Sequence, residues 1–396
     1  MSSAVLAASA VLCALGTLSL LLAVHPFTTY PLSLRVLPRR PLGGPAPVGA
    51  RPPSAALCVS AYNEERIIRD KAANMLAMRE AVADLALFIY VDAASDRTAA
   101  IAREFEPQIR VVEAATRAGK THGMNTLVGL AEADVVVFSD ANVMFAPDAI
   151  PRLLASFADP AVGVVCGHLS YTAPEGSGTA VAGSLYWRLE EHIKALESRT
   201  GSCMGADGSI FAIRRALHEP PPDDLIDDMY VSLAILCAGS RVVRAGAAHA
   251  TEAPVSRPGE EFRRKIRIGC QAFNVHRALW PRLRELPAID LYKYVSHKLL
   301  RWLTIYLLGF GTVALLAGMA LLNPTIAVVL AVTALLVLGG IALARSGKIA
   351  ALRDVLMAFV ATGLGVWRSI RGDRFQTWNP PDSARMSFAG TSGDPR

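Results

Sequence analysis

Leu85-Ala86-Leu87-Phe88-Ile89-Tyr90-Val91-Asp92 is an unbroken apolar run that ends on an acid, and Val135-Val136-Val137-Phe138-Ser139-Asp140 repeats the arrangement. Apolar runs of this length, without polar alternation, belong to strands buried on both faces. Ala55–Ser60, Arg110–Val112 and Val162–Gly167 extend the series. Helical patterns lie between them: Glu64–Met78, Lys120–Leu130, and Ile150, Leu153, Leu154 and Phe157 at i, i+3, i+4, i+7. Such alternation predicts an α/β domain with a mixed, mainly parallel sheet and helices on both faces. Ligands of these sheets bind beyond the carboxyl ends of the strands. Asp92 and Asp140 are therefore expected to project into one crevice. A turn or helix-cap aspartate explains either acid alone, but accounts less well for two in a charge-poor sheet.

Outward from this domain the chain turns apolar. Of its 396 residues 52% are hydrophobic and 19% charged, where about a quarter charged is usual, and the shortfall sits at the two ends. Ala4–Val24 carries no charge and is long enough to cross a hydrocarbon core of ~30 Å. Met1-Ser2-Ser3 lacks the basic start of a signal peptide, so an uncleaved anchor is expected. Arg35, Arg39, Arg40 and Arg51 follow and assign that side to the cytoplasm. Trp302–Leu322 and Thr325–Ala344 predict two further spans, parted by Asn323-Pro324, after which Arg345 and Lys348 return the chain. Val355–Trp367 is short and precedes Arg368, Arg371 and Arg374; it reads as an interfacial or re-entrant helix, or a tilted span. The expected organisation is an anchor with a Pro/Arg-rich linker over 1–53 and a cytoplasmic domain over 54–284. Interfacial and transmembrane helices follow over 285–376, then a loose tail over 377–396. The Ala- and Arg-rich composition suggests a bacterial source, and hence a multi-pass protein of the inner (plasma) membrane.

Several classes of chemistry drop out. The six cysteines form no CxxC pair, which argues against a zinc site and favours buried reduced thiols. The histidines show no ligand spacing, and no GxSxG, Walker A or GxGxxG stretch is present. The basic stretch after Glu261 lacks interleaved aromatics, so nucleic acid is not an expected partner. The net charge of +6 suits anionic lipid or an anionic substrate and decides neither.

Six stretches stand in a telling order: Val59–Glu65 (VSAYNEE), Asp92–Thr98 (DAASDRT), Arg117–Asn125 (RAGKTHGMN), Phe138–Asn142 (FSDAN), Gly205–Gly208 (GADG) and Ile226-Asp227-Asp228. Together they resemble the GT-A-fold family 2 glycosyltransferases over roughly residues 54–284. The apolar flanks resemble the branch that includes membrane polysaccharide synthases. The resemblance implies an inverting transfer from a nucleotide sugar, expected to be a UDP-sugar, to a lipid-linked or glycan hydroxyl, with Mg²⁺ or Mn²⁺. It assigns Tyr62, Asn63, Glu64 and Asp92 to the nucleoside, and Lys120 and Asn125 to the diphosphate. Asp140 and Asn142 occupy the metal-holding DxD position. Here the second acid is an amide, which lowers the expected metal affinity or leaves Asp140 to act with water. Asp228 matches the base, with Asp227 as its fallback. Gly205 and Asp207 match the acceptor turn. Arg264 and Arg267 fall on the first and fourth positions of QxxRW, whose tryptophan is Ile268, which weakens the case for processive synthesis.

The chemistry fits these residue types. A departing diphosphate gains charge, and a lysine with a hard divalent cation on one or two carboxylates stabilises it. The bland alternatives are a surface lysine at a helix start, acids drawn to a helix dipole and a polybasic helix lying on anionic lipid. Tyr186 and Trp187 could stack on a sugar or simply fill core. Expected partners are donor, acceptor, bilayer and other cell-envelope biosynthesis proteins. The competing reading, motivated by Asn142 and Ile268, is a non-catalytic nucleotide-sugar-binding scaffold or sensor in a polysaccharide export assembly.

Overall fold

The computed structural model describes residues 1–43, 52–171, 178–253 and 258–377, with backbone alone at 178–186 and 258. Arg51, the side chain of Tyr186 and the tail from 378 lie outside the described residues. The chain opens with α1 (Ser3–Val24) and α2 (Thr29–Val36). The domain then runs through β1 (Ala55–Ala61), α3 (Ile68–Ala81), β2 (Ala86–Val91), α4 (Thr98–Arg103) and β3 (Arg110–Glu113). Next come α5 (Lys120–Leu130), β4 (Val135–Asp140), β5 (Val143–Phe145), α6 (Ala149–Ala155) and β6 (Val162–Tyr171). It continues with α7 (Gly178–Arg199), β7 (Ile210–Arg214), α8 (Asp227–Cys237), β8 (Arg241–Glu252) and α9 (Pro258–Leu283). The chain closes on α10 (Ala288–Tyr294), α11 (Leu300–Leu322), α12 (Pro324–Leu343) and α13 (Gly347–Ile370).

Among the described residues eight strands form one sheet in the order β3-β2-β1-β4-β7-β6-β8-β5. The expected parallel core is there: β1 lies parallel to β2 and β4, and β2 to β3. The far half is mixed, with β7 antiparallel to β4 and β6, and β5 antiparallel to β8. Alternate residues of each strand face opposite sides. Leu57, Val59, Ile89 and Val137 bury against α3, α4 and α6. Ala56, Cys58, Phe88 and Phe138 bury against α5, α8 and α9. This second core runs on to Tyr294, Trp302 and Val366, so the domain and the apolar helices share one interior.

Register fixes the level of the strand ends. Ser60 lies opposite Asp140, and Ala61 opposite Val91. Tyr62, Asp92 and Asp140 therefore leave the sheet at one edge. Ser139 faces Ile210, which brings the Gly205–Gly208 turn to the same edge. Glu252 closes β8 there, opposite both Val143 and Tyr171.

Among the described residues four helices are long and apolar enough to cross a membrane: Ser3–Phe27, Ala288–Leu322, Pro324–Leu343 and Gly347–Ile370. The last outgrows the expected Val355–Trp367 at both ends. Its C-terminal half packs on α9, where an added Cβ on Gly365 would lie 2.5 Å from the Ile266 carbonyl oxygen. Polar groups tie the apolar helices to α7. Glu197 accepts from the Tyr30 hydroxyl of α2 (2.5 Å) and pairs with His297 (2.7 Å), while Glu190 pairs with His297 and Arg301. His297 sits in a π-helical turn, Val295–Leu299, the kind of irregularity that inserts a residue where a site needs it.

Helices α1 and α11 meet through small residues. Ser9 and Ser19 donate to the Gly318 and Leu307 carbonyls at 2.8 Å each. A Cβ on Gly311 would lie 2.8 Å from Leu20 and 3.0 Å from the Gly16 carbonyl oxygen. Backbone approach of this kind drives helix pairing in lipid. Gly311→Leu is expected to push α1 off α11 and cost about 1–3 kcal/mol. A lowered melting midpoint of the detergent-extracted protein is the measurement.

Candidate active site

The site is a row of acids at the sheet edge with one lysine threaded among them. Lys120 is the first residue of α5. Its Nζ lies 2.7 Å from Asp140 Oδ1 and 3.7 Å from Asp227 Oδ2. An added Cβ on Gly208 would sit 2.8 Å from Asp228 Oδ2 and 3.2 Å from Lys120 Nζ. Asp140, Asp227, Asp228, Lys120 and the Gly205–Gly208 turn thus meet in one place. Burial alone would lower the Lys120 pKa, but Asp140, Asp227 and Asp228 together raise it. It is a fixed cation.

The paired acids at the start of α8 differ. Asp227 is buried beneath the cluster, 3% exposed, and its Oδ2 accepts no hydrogen bond. Asp228 faces the Gly208 turn. Burial raises its pKa first, Asp227 adds to the rise, and Lys120 opposes it; the carboxyl comes to rest at about 7. A carboxyl poised near neutrality is what proton abstraction from an alcohol needs.

Asp92 is fully buried and holds the turn in front of Lys120, accepting from the Ala118 and Gly119 amides at 2.8 and 3.0 Å. Arg117 lies 3.9 Å from Asp92 and stacks its guanidinium 3.6 Å above the Tyr62 ring. Asn63, at φ +53°, exchanges hydrogen bonds with Ser95, and the Glu64 amide donates to Thr98 Oγ1 at 2.7 Å. Tyr62, Asn63, Glu64, Asp92 and Arg117 therefore form one braced wall beside the strand ends. Asn125 donates its amide N–H to the Pro221 carbonyl at 2.9 Å, which steadies the segment that leads into Asp227 and Asp228, while its Oδ1 accepts no hydrogen bond from the described residues.

Asn142 donates 2.9 Å to Glu252 Oε1. Burial pushes the Glu252 carboxyl up, Arg264 pulls it down, and Asp140 pushes it up again, to about 7. Asp207 pairs with Lys194 at 3.5 Å, and the Ala206 amide donates to Ser232 Oγ at 2.9 Å, with Gly205 at φ +111°. Arg264 bonds Glu261 at 3.3 Å, within electrostatic range of Glu252. Burial lowers the Arg267 pKa to about 10, Arg264 adds to that, and Asp140 opposes it. Both arginines of α9 therefore face the acidic corner.

Three residues were not singled out from the sequence. Arg117 covers Tyr62. Glu252 ends a strand just as Asp92 and Asp140 follow theirs, in a stretch not recognised as a strand. Lys71 is fully buried and donates to Ser139 Oγ (2.8 Å) and the Val143 carbonyl (2.5 Å), on either side of Asp140–Asn142. A lysine on the apolar Ile68/Ala72/Met75 face of a helix was the available signal. Trp187, by contrast, donates its indole N–H to the Leu169 carbonyl at 2.7 Å and packs edge-on to Tyr171.

Residues 56–220 match the family model described as Glycosyl transferase family 2. The chain carries a family 2 glycosyltransferase domain. An N-acetylglucosaminyltransferase of Rhizobium meliloti (strain 1021) is 27% identical over 233 residues, 53% of this chain and 54% of that protein. One from Sinorhizobium fredii (strain NBRC 101917 / NGR234) is 24% identical over 357 residues, covering 84% and 83%. The chain thus spans about half of the first of these glycosyltransferases and most of the second. Among solved structures, the mannosyltransferase PcManGT from Pyrobaculum calidifontis, in complex with GDP-Man and Mn²⁺, superposes with a TM-score of 0.71. It is 21% identical and covers 90% of this chain and 99% of that one. The shared GT-A fold therefore reaches past the domain into the apolar helices.

After α13 the chain doubles back over the site. Arg374 bonds Asp224 at 2.6 Å, and Gln376 donates to the Ala118 carbonyl at 3.0 Å. A Cβ on Gly119 would lie 2.2 Å from the Gln376 carbonyl oxygen. Gly119 also sits at φ +94°, ψ 165°, a region nearly closed to other residues at a cost of about 1–3 kcal/mol. Gly119→Ala should destabilise the fold by that order and free the 372–377 segment. A thermal melt with limited proteolysis, read by mass, would check both effects.

Proposed function

We propose that this protein is an inverting glycosyltransferase that moves a sugar from a nucleotide sugar to a hydroxyl of a lipid-linked or glycan acceptor. It would work at the cytoplasmic face of a bacterial inner membrane, a placement supported by the four apolar helices and by the arginines that follow α1. The observation that carries the reading is Asp228: a carboxyl poised at about 7, against a glycine turn and beside the lysine that also holds Asp140.

In the transfer the acceptor oxygen attacks the anomeric carbon of the donor. Its proton passes to Asp228, and the bond from that carbon to the diphosphate oxygen breaks on the opposite face. The diphosphate leaves with the electron pair. Lys120 and Arg267 meet its growing charge with groups already in place. Tyr62, Asn63, Glu64 and Arg117 shape the nucleoside pocket, and Asp92 keeps Lys120 aimed by holding the turn before it.

A divalent cation fits one corner. Among the described residues no three of His, Cys, Asp and Glu converge as a cage. Yet Asp140 is one-third exposed and already bonded to a cation, Lys120. That suits an ion delivered with the diphosphate and held by one or two carboxylates. When bound, Mg²⁺ or Mn²⁺ would supply Lewis-acid stabilisation of the leaving diphosphate. PcManGT of the same fold is described with GDP-Man and Mn²⁺, and the rhizobial relatives are named N-acetylglucosaminyltransferases. We therefore assign the donor class as a nucleotide sugar and leave the sugar to a donor panel.

Asp228→Asn is expected to lower transfer by about 10²–10⁴-fold, the range of a lost general base, with donor binding kept. Asp140→Ala should instead weaken metal-dependent donor binding. Turnover and calorimetry on purified protein separate the two. Full activity in both Asp228→Asn and Asp227→Asn would refute the mechanism.

The base works ionised. kcat/KM, which reports the free enzyme, should rise with pH, about tenfold per unit below about 7, and level off above it. A flat profile from pH 5 to 8 would remove Asp228 as the base.

A further inference from the structure

We infer that Glu252 supplies the carboxylate that Asn142 lacks, as an oxygen donor to the diphosphate-bound cation; this rests on the metal-dependent transfer proposed above. In the linear sequence the two positions are far apart, and the Asp-Ala-Asn stretch reads as a weakened metal site. In the fold they are neighbours. β8 runs antiparallel to β5 with Glu252 directly across from Val143, one residue past Asn142. The Asn142 amide donates 2.9 Å to Glu252 Oε1.

The corner is rigid from three sides. Below, Lys71 bonds Ser139 Oγ and the Val143 carbonyl, the residues that bracket Asp140–Asn142. One turn further along α3, Asn74 pairs with both backbone groups of Phe145 at 2.9 Å each. On the third side, β8 holds Glu252 in register. A carboxylate that could meet an incoming cation is thus preset, not recruited by a loop.

The charge around Glu252 points the same way. The residue is 9% exposed and ends its strand near Asp140 and Asp207, with Arg264 as the opposing cation. Lys120 is already engaged by Asp140 and Asp227, and Lys194 by Asp207 and Glu191. A buried carboxylate with two further acids near it calls for a cation. Mg²⁺ and Mn²⁺ are held by hard oxygen donors, and Glu252 with Asp140 would give the two that an all-acid DxD stretch provides.

A plain tether between β8 and the β4–β5 turn is the competing explanation. An isosteric exchange separates the two, because glutamine keeps a hydrogen bond to Asn142 and loses the charge. The probe is Mn²⁺ titrated by calorimetry into detergent-solubilised full-length protein with UDP or GDP present. Glu252→Gln should weaken Mn²⁺ about tenfold or more, within the 10–100-fold that changes around a metal site produce. Asn142→Asp in that background should return the affinity to within about threefold, since it restores one carboxylate to the same corner. Melting curves report folding of each variant. Unchanged Mn²⁺ binding in folded Glu252→Gln, or failure of a folded double variant to recover, would overturn the inference. Should Glu252→Gln not fold, Asn142→Asp alone decides: a second acid beside Glu252 must tighten Mn²⁺, and no change refutes the assignment. If the unaltered protein binds no Mn²⁺ with either nucleotide, the metal-dependent function itself fails.

Discussion

Lys120 is the charge on which the site depends. Acids brought together at a sheet edge repel, and burying them without a cation costs several kcal/mol each. The parallel register of β1, β2 and β4 makes that convergence unavoidable, because it levels the ends from which Asp92 and Asp140 emerge. The start of α5 inserts a single ammonium into the gap, 2.7 Å from Asp140 and 3.7 Å from Asp227. What precedes it is arranged to keep it there. Asp92 binds the two amides before the lysine, and Gly119 takes a backbone conformation that lets Gln376 lie directly on it. A fully buried carboxylate thus positions a lysine through the backbone.

The apolar helices are part of this arrangement. The core on the α5/α8/α9 face runs without a break into Tyr294, Trp302 and Val366, so the packing continues past residue 284. α9 carries Arg264 and Arg267 on its cleft side and packs on α13 on the other. The segment after α13 then returns to the Ala118-Gly119 turn. A shift of α13 against α9 would be felt at both the arginines and the lysine. The buried Glu190–His297–Glu197 chain fastens α7 to the start of α11, beside the Gly205 turn, where Lys298 reaches within van der Waals distance of an added Cβ.

What the sequence revealed followed from simple physics. Strands buried on both faces announce themselves as solid apolar runs, so β1, β2, β4 and β6 were legible, and α5 was bounded correctly at Lys120 and Leu130. Acids at strand ends are conspicuous for the same reason. The strands that escaped lack this signal. β5 is three residues long, too short for any periodicity. β7 is a five-residue piece, and β8, RVVRAGAAHATE, is alanine-rich and polar at intervals. With β8 unseen, Glu252 had no place to be. Lys71 and Arg117 act through contacts with residues distant in the chain, which no local pattern encodes. Asp228 was reached through a family resemblance, since two acids before an apolar helix are equally a dipole effect. The short reading of α13 failed because Lys348, Arg353 and Asp354 dilute its first turns, although Arg353 and Asp354 neutralise each other at 2.7 Å.

The paired acids at the start of α8 then have distinct tasks. Lys120 serves two sides of the cleft. In the proposed transfer Asp140 would belong to the donor side, and Asp227 and Asp228 to the acceptor side. Were Asp140 to hold a divalent cation, that ion would compete with the ammonium for the carboxylate. Displaced from it, the ammonium has Asp227 as its nearest remaining partner, and Asp227 has an Oδ2 that takes no hydrogen bond. Asp228 borders the same cluster, so any shift of Lys120 toward α8 makes its carboxyl a stronger acid and the ionised base more abundant. Donor occupancy would in this way prepare the acceptor side before an alcohol arrives. Two adjacent aspartates, one buried to receive the lysine and one turned to the glycine loop, are what such coupling requires; a single acid would have to serve as ion-pair partner and as base at once.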